Sequence, residues 1–266
     1  MNNLKHLKSR IKSISVVLKA TNAVKMITNI KLARLKSQIK SVEKEVSISL
    51  KFTEMMQRYM IQNGFGVSNT ASNLGIIIFS DKGLCGGYNG QLHKYFLSSF
   101  KLSDLKEVLI IGNKGHKYSS TYSNLGLNVK VFSHNDIKGL VDIIAKNNGC
   151  KIYFNQYKNI LEQFPTCSDT RFSLSVNSDF EPTNQVIVED NFQEIYERIL
   201  NQYLYFQVRY AAVNADISEQ SSRLVIMDNS IESAKTLLSE LELLLNKTRQ
   251  NNITNQIIEV VTASTL

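Results

Sequence analysis

Glycine and proline are absent from both ends of this chain of 266 residues. All 12 glycines lie between Gly64 and Gly149, and the two prolines are Pro165 and Pro182. In a helix interior glycine costs about 1 kcal/mol and proline about 3 kcal/mol, so long stretches without them permit long helices. The sequence therefore predicts a long helix at each end and a folded domain between them.

Cysteine and histidine are scarce, with three and four residues respectively. Cys85, Cys150 and Cys167 form no CxxC pair and the histidines show no metal-ligand spacing, so we predict free thiols and no metal site. We expect no cofactor either. No apolar run approaches the roughly 20 residues that a membrane-spanning helix needs.

Acidic residues are few at the start of the chain. Residues 1–60 hold 13 lysines and arginines against three acids, so this arm carries the net positive charge of the chain, +8 overall. A basic arm can bind nucleic acid, anionic lipid or an acidic protein surface. Composition alone leaves these three alternatives open.

Apolar residues in the N-terminal arm recur at alternating steps of three and four. Ten of the fourteen such positions between Leu4 and Ser49 are apolar, which indicates a coiled-coil seam. Three polar residues interrupt this seam, and there we expect the apolar side to shift to Val24 and Ile27. The interrupting residues are Thr21, Lys25 and Thr28.

The C-terminal arm has a seam of the same period, from Leu224 to Leu245. The pattern fails in a polar cluster at residues 246–252, which is typical of a solvated helix face but could also contact a partner. It resumes in shifted phase at three apolar residues, Ile253, Ile257 and Val260. Two helices of similar period on either side of a domain most simply pair as an antiparallel coiled coil.

The middle of the chain alternates strand-like and helix-like patterns. Predicted strands at residues 74–80, 107–111, 128–132 and 151–155 favour a small parallel or mixed sheet of the α/β, Rossmann-like class. A helix is predicted at residues 136–147, and residues 155–184 are irregular, with a hairpin expected there. The predicted domains are 1–62 for an N-terminal helix, 73–185 for the α/β domain and 190–266 for a C-terminal helix that pairs with the first.

A glycine-rich loop follows the first predicted strand, from Ser80 to Asn89 (SDKGLCGGYN). Such loops can present backbone N–H groups to phosphate. This one has neither GxGxxG nor GK[ST], so we interpret it as a tight turn rather than a nucleotide site.

Three motifs resemble the gamma-subunit family of F-type ATP synthases. The first lies in the N-terminal arm between Arg10 and Leu32, and the second is the loop 80–89, similar to the family's SDRGLCGG.N. The third runs from Ser218-Glu219-Gln220 to Arg249-Gln250 and Ile253-Thr254. The resemblance covers essentially the whole chain.

The resemblance implies a central rotor shaft that does no bond chemistry itself. Its terminal helices would enter a hexamer of alternating alpha and beta subunits, and its α/β domain would lie beside the epsilon subunit and the c-subunit ring. Rotation of the ring would then change the affinities of the beta-subunit catalytic sites. The complex would place the chain peripherally on the cytoplasmic face of a bacterial inner membrane, or on the matrix side in a mitochondrion.

The resemblance also implies contact residues. Arg249 and Gln250 match the family's RQ pair, which contacts the beta subunits, and Lys19, Lys25 and Arg223 lie in matching segments. A second set matches the segment near the c-ring and the epsilon subunit: Tyr203, Gln207 and Tyr210. The alternative function is a coiled-coil scaffold with a basic nucleic-acid-binding arm, although we expect no nucleic-acid partner because no base-reading motif appears.

Overall fold

The structure is a computed structural model that describes residues 2–62, 73–100, 105–132, 137–147, 149–170 and 192–264. Parts of the predicted elements fall outside these ranges: Asp136 of a predicted helix, residues 171–185 of the predicted domain, and residues 190, 191, 265 and 266 of the predicted C-terminal helix. The helices are α1 (Asn2–Gln62), α2 (Tyr88–Ser99), α3 (His116–Asn124), α4 (Ile137–Lys146) and α5 (Phe192–Ser264). The strands are β1 (Leu74–Ile78), β2 (Glu107–Ile111), β3 (Asn128–Phe132), β4 (Lys151–Tyr157) and β5 (Gln163–Asp169).

The chain forms two compact units. The first comprises Met1–Ile30 and Arg223–Leu266, and the second comprises Lys31–Ser222. Both boundaries fall inside the long helices, α1 of 61 residues and α5 of 73 residues. The predicted three-part division therefore follows helices and sheet rather than these units, and it stays a prediction.

The first unit pairs the start of α1 with the end of α5. The predicted seam positions of α5 from Leu224 to Leu245 are all buried or half-buried, and so are those of α1 from Leu4 to Leu18. Lys25 of α1 reaches across to Asp228 of α5, with 2.5 Å between Nζ and Oδ1. The three-four spacing thus places one stripe of each helix against the other, as the sequence predicts.

The predicted shift of the seam to Val24 and Ile27 is wrong at Ile27, whereas Val24 is half-buried. Ile27 is 56% exposed, whereas Thr28 is only 2% exposed. The stripe continues in phase through polar residues because each threonine satisfies its own hydroxyl: Thr21 donates to the carbonyl of Val17 at 2.9 Å, and Thr28 donates to that of Val24 at 2.8 Å. Helix geometry therefore sets the buried side here, and the polar side chains adapt to it.

The expected resumption of the seam beyond Leu245 also differs from the structure. Thr248 and Asn252 continue the original phase and are half-buried. The apolar residues of the shifted phase are exposed: Ile253, Ile257 and Val260. They form no part of the packed seam within the described chain.

The second unit contains a five-stranded sheet in the order β3-β2-β1-β4-β5. The first four strands pair in parallel, and β5 pairs antiparallel to β4. The hairpin expected within residues 155–184 is thus the β4–β5 hairpin. Pro165 lies in β5 opposite Asn155, and proline is tolerated there because β5 is an edge strand among the described residues.

Helices cover both faces of the sheet. One face packs against α4 and α5 through apolar residues such as Ile76, Leu140 and Leu204. The other face packs against α2 and α3 through residues such as Ile77, Phe96 and Tyr122. The predicted Rossmann-like α/β class is confirmed, and α5 is one of the helices that cover the sheet.

Within the second unit, α1 and α5 run antiparallel. Arg209 of α5 donates from Nη1 to Oε2 of Glu45 at 2.7 Å. Further along α1, the carboxylate of Glu54 adds to the effect of burial, which raises the pKa of Tyr203 on α5. Residues later in α1 therefore lie beside residues earlier in α5, which confirms the predicted antiparallel arrangement.

Candidate functional site

The outer surface of the paired helices carries the residues predicted to contact beta subunits. Lys19, Arg249 and Gln250 are exposed, so their side chains are accessible to a partner. Lys25 is half-buried and paired with Asp228 across the seam. Arg223 is only 5% exposed. The five predicted residues thus separate into three that face outward and two that face the helix pair or its interior.

Large apolar residues are exposed on the same unit. Near the end of α5 they are between 46% and 69% exposed, and they are Ile253, Ile257, Ile258, Val260 and Val261. On α1 a second group lies outside the seam: Val16, Val17, Met26, Ile27 and Ile30. Contiguous exposed apolar surface commonly marks a protein interface. Sequence periodicity did not indicate this exposed surface on α5, because it assigned Ile253, Ile257 and Val260 to the seam.

The predicted c-ring and epsilon contacts lie on the part of α5 that packs against the sheet. Tyr203 is only 5% exposed and belongs to the apolar core. Its pKa is raised by burial, and its hydroxyl accepts a hydrogen bond from Nε2 of Gln207 at 3.1 Å. Gln207 and Tyr210 are half-buried. Of the three, the structure therefore leaves only Gln207 and Tyr210 partly accessible.

The glycine-rich loop is folded against α5 and is stiffened by its own side chains. The backbone N–H of Ser80 donates to Oδ1 of Asn89 at 3.0 Å, and Nδ2 of Asn89 donates back to Oγ of Ser80 at 2.7 Å. Oγ of Ser222 on α5 donates to the carbonyl of Cys85 at 2.8 Å. The predicted tight turn is thus also a contact with α5.

Tyr88 makes a second contact between this loop and α5, and it is buried. Its hydroxyl donates to the carbonyl of Ala215 on α5 at 3.0 Å. Burial, reinforced by the carboxylate of Glu219, raises the pKa of Tyr88 well above its ordinary value. The phenol therefore keeps its proton and remains a donor at neutral pH.

At the tip of the loop the backbone is strained. Leu84 has a φ of 63° and is 67% exposed, although a left-handed backbone normally favours glycine. Such an outlier at an exposed apolar residue is typical of functional surfaces. The sequence does not predict the left-handed backbone at Leu84, because leucine rarely adopts that conformation.

No group of three or more His, Cys, Asp or Glu side chains that could hold a metal ion occurs among the described residues. None of the described helices is long and apolar enough to cross a membrane.

Cys85 is buried, with its thiol within hydrogen-bond reach of the hydroxyl of Ser80 and the side-chain amide of Asn89. Its position is that of a packed thiol rather than of an accessible nucleophile.

Comparisons with known proteins agree on one family. The family model described as ATP synthase matches residues 3–265. The gamma chain of ATP synthase from Rickettsia prowazekii is 28% identical over 283 residues, covering 98% of each chain. The gamma chain from Campylobacter curvus is 27% identical over 294 residues, with the same coverage.

Solved structures agree with this on the fold. A chain from the OSCP/F1/c-ring structure of the Euglena gracilis mitochondrial ATP synthase has a TM-score of 0.71 at 13% identity, covering 99% of this chain and 94% of its own. A chain from the central stalk and c-ring of the Tetrahymena thermophila enzyme has a TM-score of 0.56 at 19% identity, covering 79% and 98%.

The alternative of a nucleic-acid-binding scaffold gains no support from these comparisons. The matches extend over the paired helices, the sheet and the glycine-rich loop alike. The chain belongs to the gamma-subunit family of ATP synthase and is the non-catalytic central rotor shaft of that membrane-bound complex.

Proposed function

We propose that this chain couples rotation of a c-subunit ring to conformational changes at the catalytic sites of beta subunits. Its partners are then the alternating alpha and beta subunits of a hexamer, the epsilon subunit and the c-ring. The observation that carries the proposal is the first unit, in which two helices pair through a buried seam and keep basic and apolar side chains on the outside. Two paired helices resist bending and twisting better than one, which suits a shaft under load.

The exposed basic and polar residues are the proposed contacts with beta subunits. Lys19, Arg249 and Gln250 are accessible and can meet acidic side chains as the shaft turns. Exposed ion pairs are worth only about 0–1 kcal/mol each, so contacts of this kind form and break easily. Lys25 and Arg223 are proposed to act indirectly, by fixing the helix pair that presents the exposed residues.

The apolar end of α5 is the proposed bearing inside the hexamer. Its residues, Ile253, Ile257, Ile258, Val260 and Val261, are exposed in the chain alone. Burying them against an apolar ring would contribute about 25 cal/mol for each Å² removed from water. Because apolar contact has no directional preference, such a bearing can hold the shaft while it rotates.

Gln207 and Tyr210 are the proposed contacts with the c-ring and the epsilon subunit. Tyr203 supports them from the core, since its hydroxyl accepts the hydrogen bond of Gln207. With these contacts the chain would lie peripherally on the cytoplasmic face of a bacterial inner membrane, or on the matrix side in a mitochondrion. Nothing in this arrangement requires the chain itself to enter the bilayer.

Reconstitution with purified alpha and beta subunits tests the proposal. We expect the chain to be recovered as one copy per hexamer and to stimulate cooperative ATP hydrolysis by the beta subunits. Hexamers that assemble and hydrolyse ATP identically with and without the chain would contradict it. Salt-dependent binding of DNA with an affinity comparable to that for the hexamer would favour the scaffold alternative instead.

A further inference from the structure

The order of the strands identifies a crevice in the second unit. The chain runs from β1 to β2 on one side and later returns to β4 on the other side of β1. In open α/β sheets this reversal of strand order opens a crevice at the carboxyl ends of the two strands, and ligands usually bind there. Here the crevice is bordered by the loop 80–89 after β1 and by the end of β4 near Asn155.

Helix α5 is hydrogen-bonded to both borders of this crevice. Oγ of Ser218 donates to the carbonyl of Asn155 at 2.8 Å, and Oγ of Ser222 donates to the carbonyl of Cys85 at 2.8 Å. The hydroxyl of Tyr88 donates in the other direction, to the carbonyl of Ala215 on α5 at 3.0 Å. The positions 215, 218 and 222 are three and four residues apart, so all three bonds lie on one face of the helix.

The borders of the crevice are themselves tied to the sheet. Nδ2 of Asn155 donates to the carbonyl of Tyr88 at 3.3 Å, which joins β4 to the loop. The backbone N–H of Lys114 donates to the carbonyl of Ser80 at 2.9 Å, and that of Asn113 donates to Oδ1 of Asp81 at 3.1 Å. A force applied to the loop is therefore carried to β1, β2 and β4 together.

Apolar packing of α5 on the sheet cannot by itself fix how the helix is rotated. Val208, Ala211 and Ala215 pack into the core below the crevice, and packing of this kind is not directional. Hydrogen bonds weaken steeply when their angle changes. The three bonds of the crevice therefore set the rotational position of the helix relative to the sheet.

We propose that α5 occupies the ligand crevice of the α/β domain permanently, and that Tyr88, Ser218 and Ser222 are positioning residues that lock the domain to the shaft. The proposal rests on the rotor function and deepens it: rotation entering through the domain passes to α5 across these three bonds. It also accounts for a sheet of this topology in a rotor subunit, since α5 fills the place where a ligand usually binds.

The assembled enzyme in sealed vesicles provides the test. The variants are Tyr88→Phe, Ser218→Ala, Ser222→Ala and the three combined. Ser222→Thr retains the hydroxyl, and Ser230→Ala is the matched control, because Ser230 is exposed on the same helix and donates only to Ile226 of its own helix. The measurements are amide hydrogen exchange in the loop 80–89, ATP hydrolysis without a gradient, and protons pumped per ATP hydrolysed.

Each lost bond should raise the opening equilibrium of the loop about fivefold, since one hydrogen bond contributes about 1 kcal/mol. We expect the combined variant to hydrolyse ATP without a gradient as the wild type does, but to pump fewer protons per ATP. Ser222→Thr and Ser230→Ala should match the wild type in all three measurements.

Unchanged exchange in the loop would overturn the proposal, and so would faster exchange with an unchanged pumping ratio, which would make the bonds merely structural. If the combined variant does not assemble, the pair Ser222→Ala and Ser222→Thr decides, and equal behaviour of the two overturns the proposal. Wild-type chain that fails to restore pumping in the same vesicles would contradict the rotor function instead.

Discussion

Gly112 shows at the scale of one residue how closely the loops of the domain approach each other. Its φ is +97°, and a Cβ built there would lie 2.2 Å from the carbonyl oxygen of Phe79. We expect Gly112→Ala to lower the free energy of unfolding by at least about 3 kcal/mol, because both the backbone angle and the space require glycine. Denaturant titration of the purified chain measures this change.

Gly90 provides the matched control for this substitution. It lies in α2, and a Cβ there would meet nothing within 4 Å. Because alanine is the better helix former, Gly90→Ala should raise the free energy of unfolding by up to about 1 kcal/mol. Equal effects of the two substitutions would show that steric approach at Gly112 is unimportant.

His93 is expected to make the domain sensitive to acid. Its Nδ1 lies 2.9 Å from the hydroxyl of Tyr122, and its ring stacks on Tyr118 with 4.1 Å between centroids. Burial, and then the charge of Lys117, lower its pKa from the ordinary 6.5. The unfolded chain therefore binds a proton first, so stability is full above pH 6.5 and falls as the pH drops towards the folded pKa.

The measurement is the free energy of unfolding across this pH range in the wild type and in His93→Gln. The variant should be less stable at neutral pH but should lose less stability on acidification. His116→Gln is the control, since His116 is exposed at the start of α3, and it should keep the wild-type pH dependence. A His93→Gln variant with the same pH dependence as the wild type would rule out this role.

At the scale of the helices, the sequence predicts the seams well and their interruptions poorly. The three-four spacing identifies the buried stripe of α1 from Leu4 to Ser49, because helix geometry alone determines which positions share a face. The shift to Ile27 is wrong because residue polarity was taken to decide burial. A threonine that bonds to its own helix can be buried at little cost, and this is visible only in the bond made by Thr28.

The ion pair between Lys25 and Asp228 should contribute to helix pairing in the first unit. Its Nζ–Oδ1 distance is 2.5 Å, and both side chains are partly exposed. Asp228→Lys places two like charges together and should lower the free energy of unfolding of the chain by about 1 kcal/mol. Lys25→Asp combined with Asp228→Lys should restore most of this loss.

Thermal unfolding of the wild type, Lys25→Asp, Asp228→Lys and the double variant forms a double-mutant cycle. The cycle isolates the interaction free energy between the two residues. Asn229→Lys, at the exposed neighbouring position, is the control for added charge alone. If the double variant is no more stable than the sum of the single changes predicts, the two residues do not interact. Added salt should reduce this interaction free energy, since both charged groups are accessible to ions.

At the scale of the whole molecule, the sequence indicates the family and the outward-facing residues but not the crevice contact. The motifs SDKGLCGGYN and Ser218-Glu219-Gln220 are more than 120 residues apart, and neither spacing nor residue type reveals that they meet. Their juxtaposition arises from the fold, which brings β1, β4 and α5 to one edge. Burial is likewise a product of the fold that the sequence does not show. Arg223 and Tyr203 match family segments in sequence, yet both are buried and are not accessible to a partner in the chain alone.

Arg249 is the residue on which the proposed contact with beta subunits depends most directly. It is exposed near the end of α5, so Arg249→Glu should change the stability of the chain by less than about 0.5 kcal/mol. In the assembled enzyme it should reduce ATP-driven proton pumping about two- to fivefold, because a passing ion pair worth up to about 1 kcal/mol is lost.

Lys94→Glu is the matched charge reversal, since Lys94 is exposed on α2 of the other unit. It should leave pumping at the wild-type level. The difference between the two variants should narrow as salt is raised, because exposed charges are screened beyond about 8–10 Å at physiological ionic strength. Equal pumping by both variants at low salt would remove Arg249 from the contact, leaving the apolar end of α5 as the remaining candidate for holding the shaft in the hexamer.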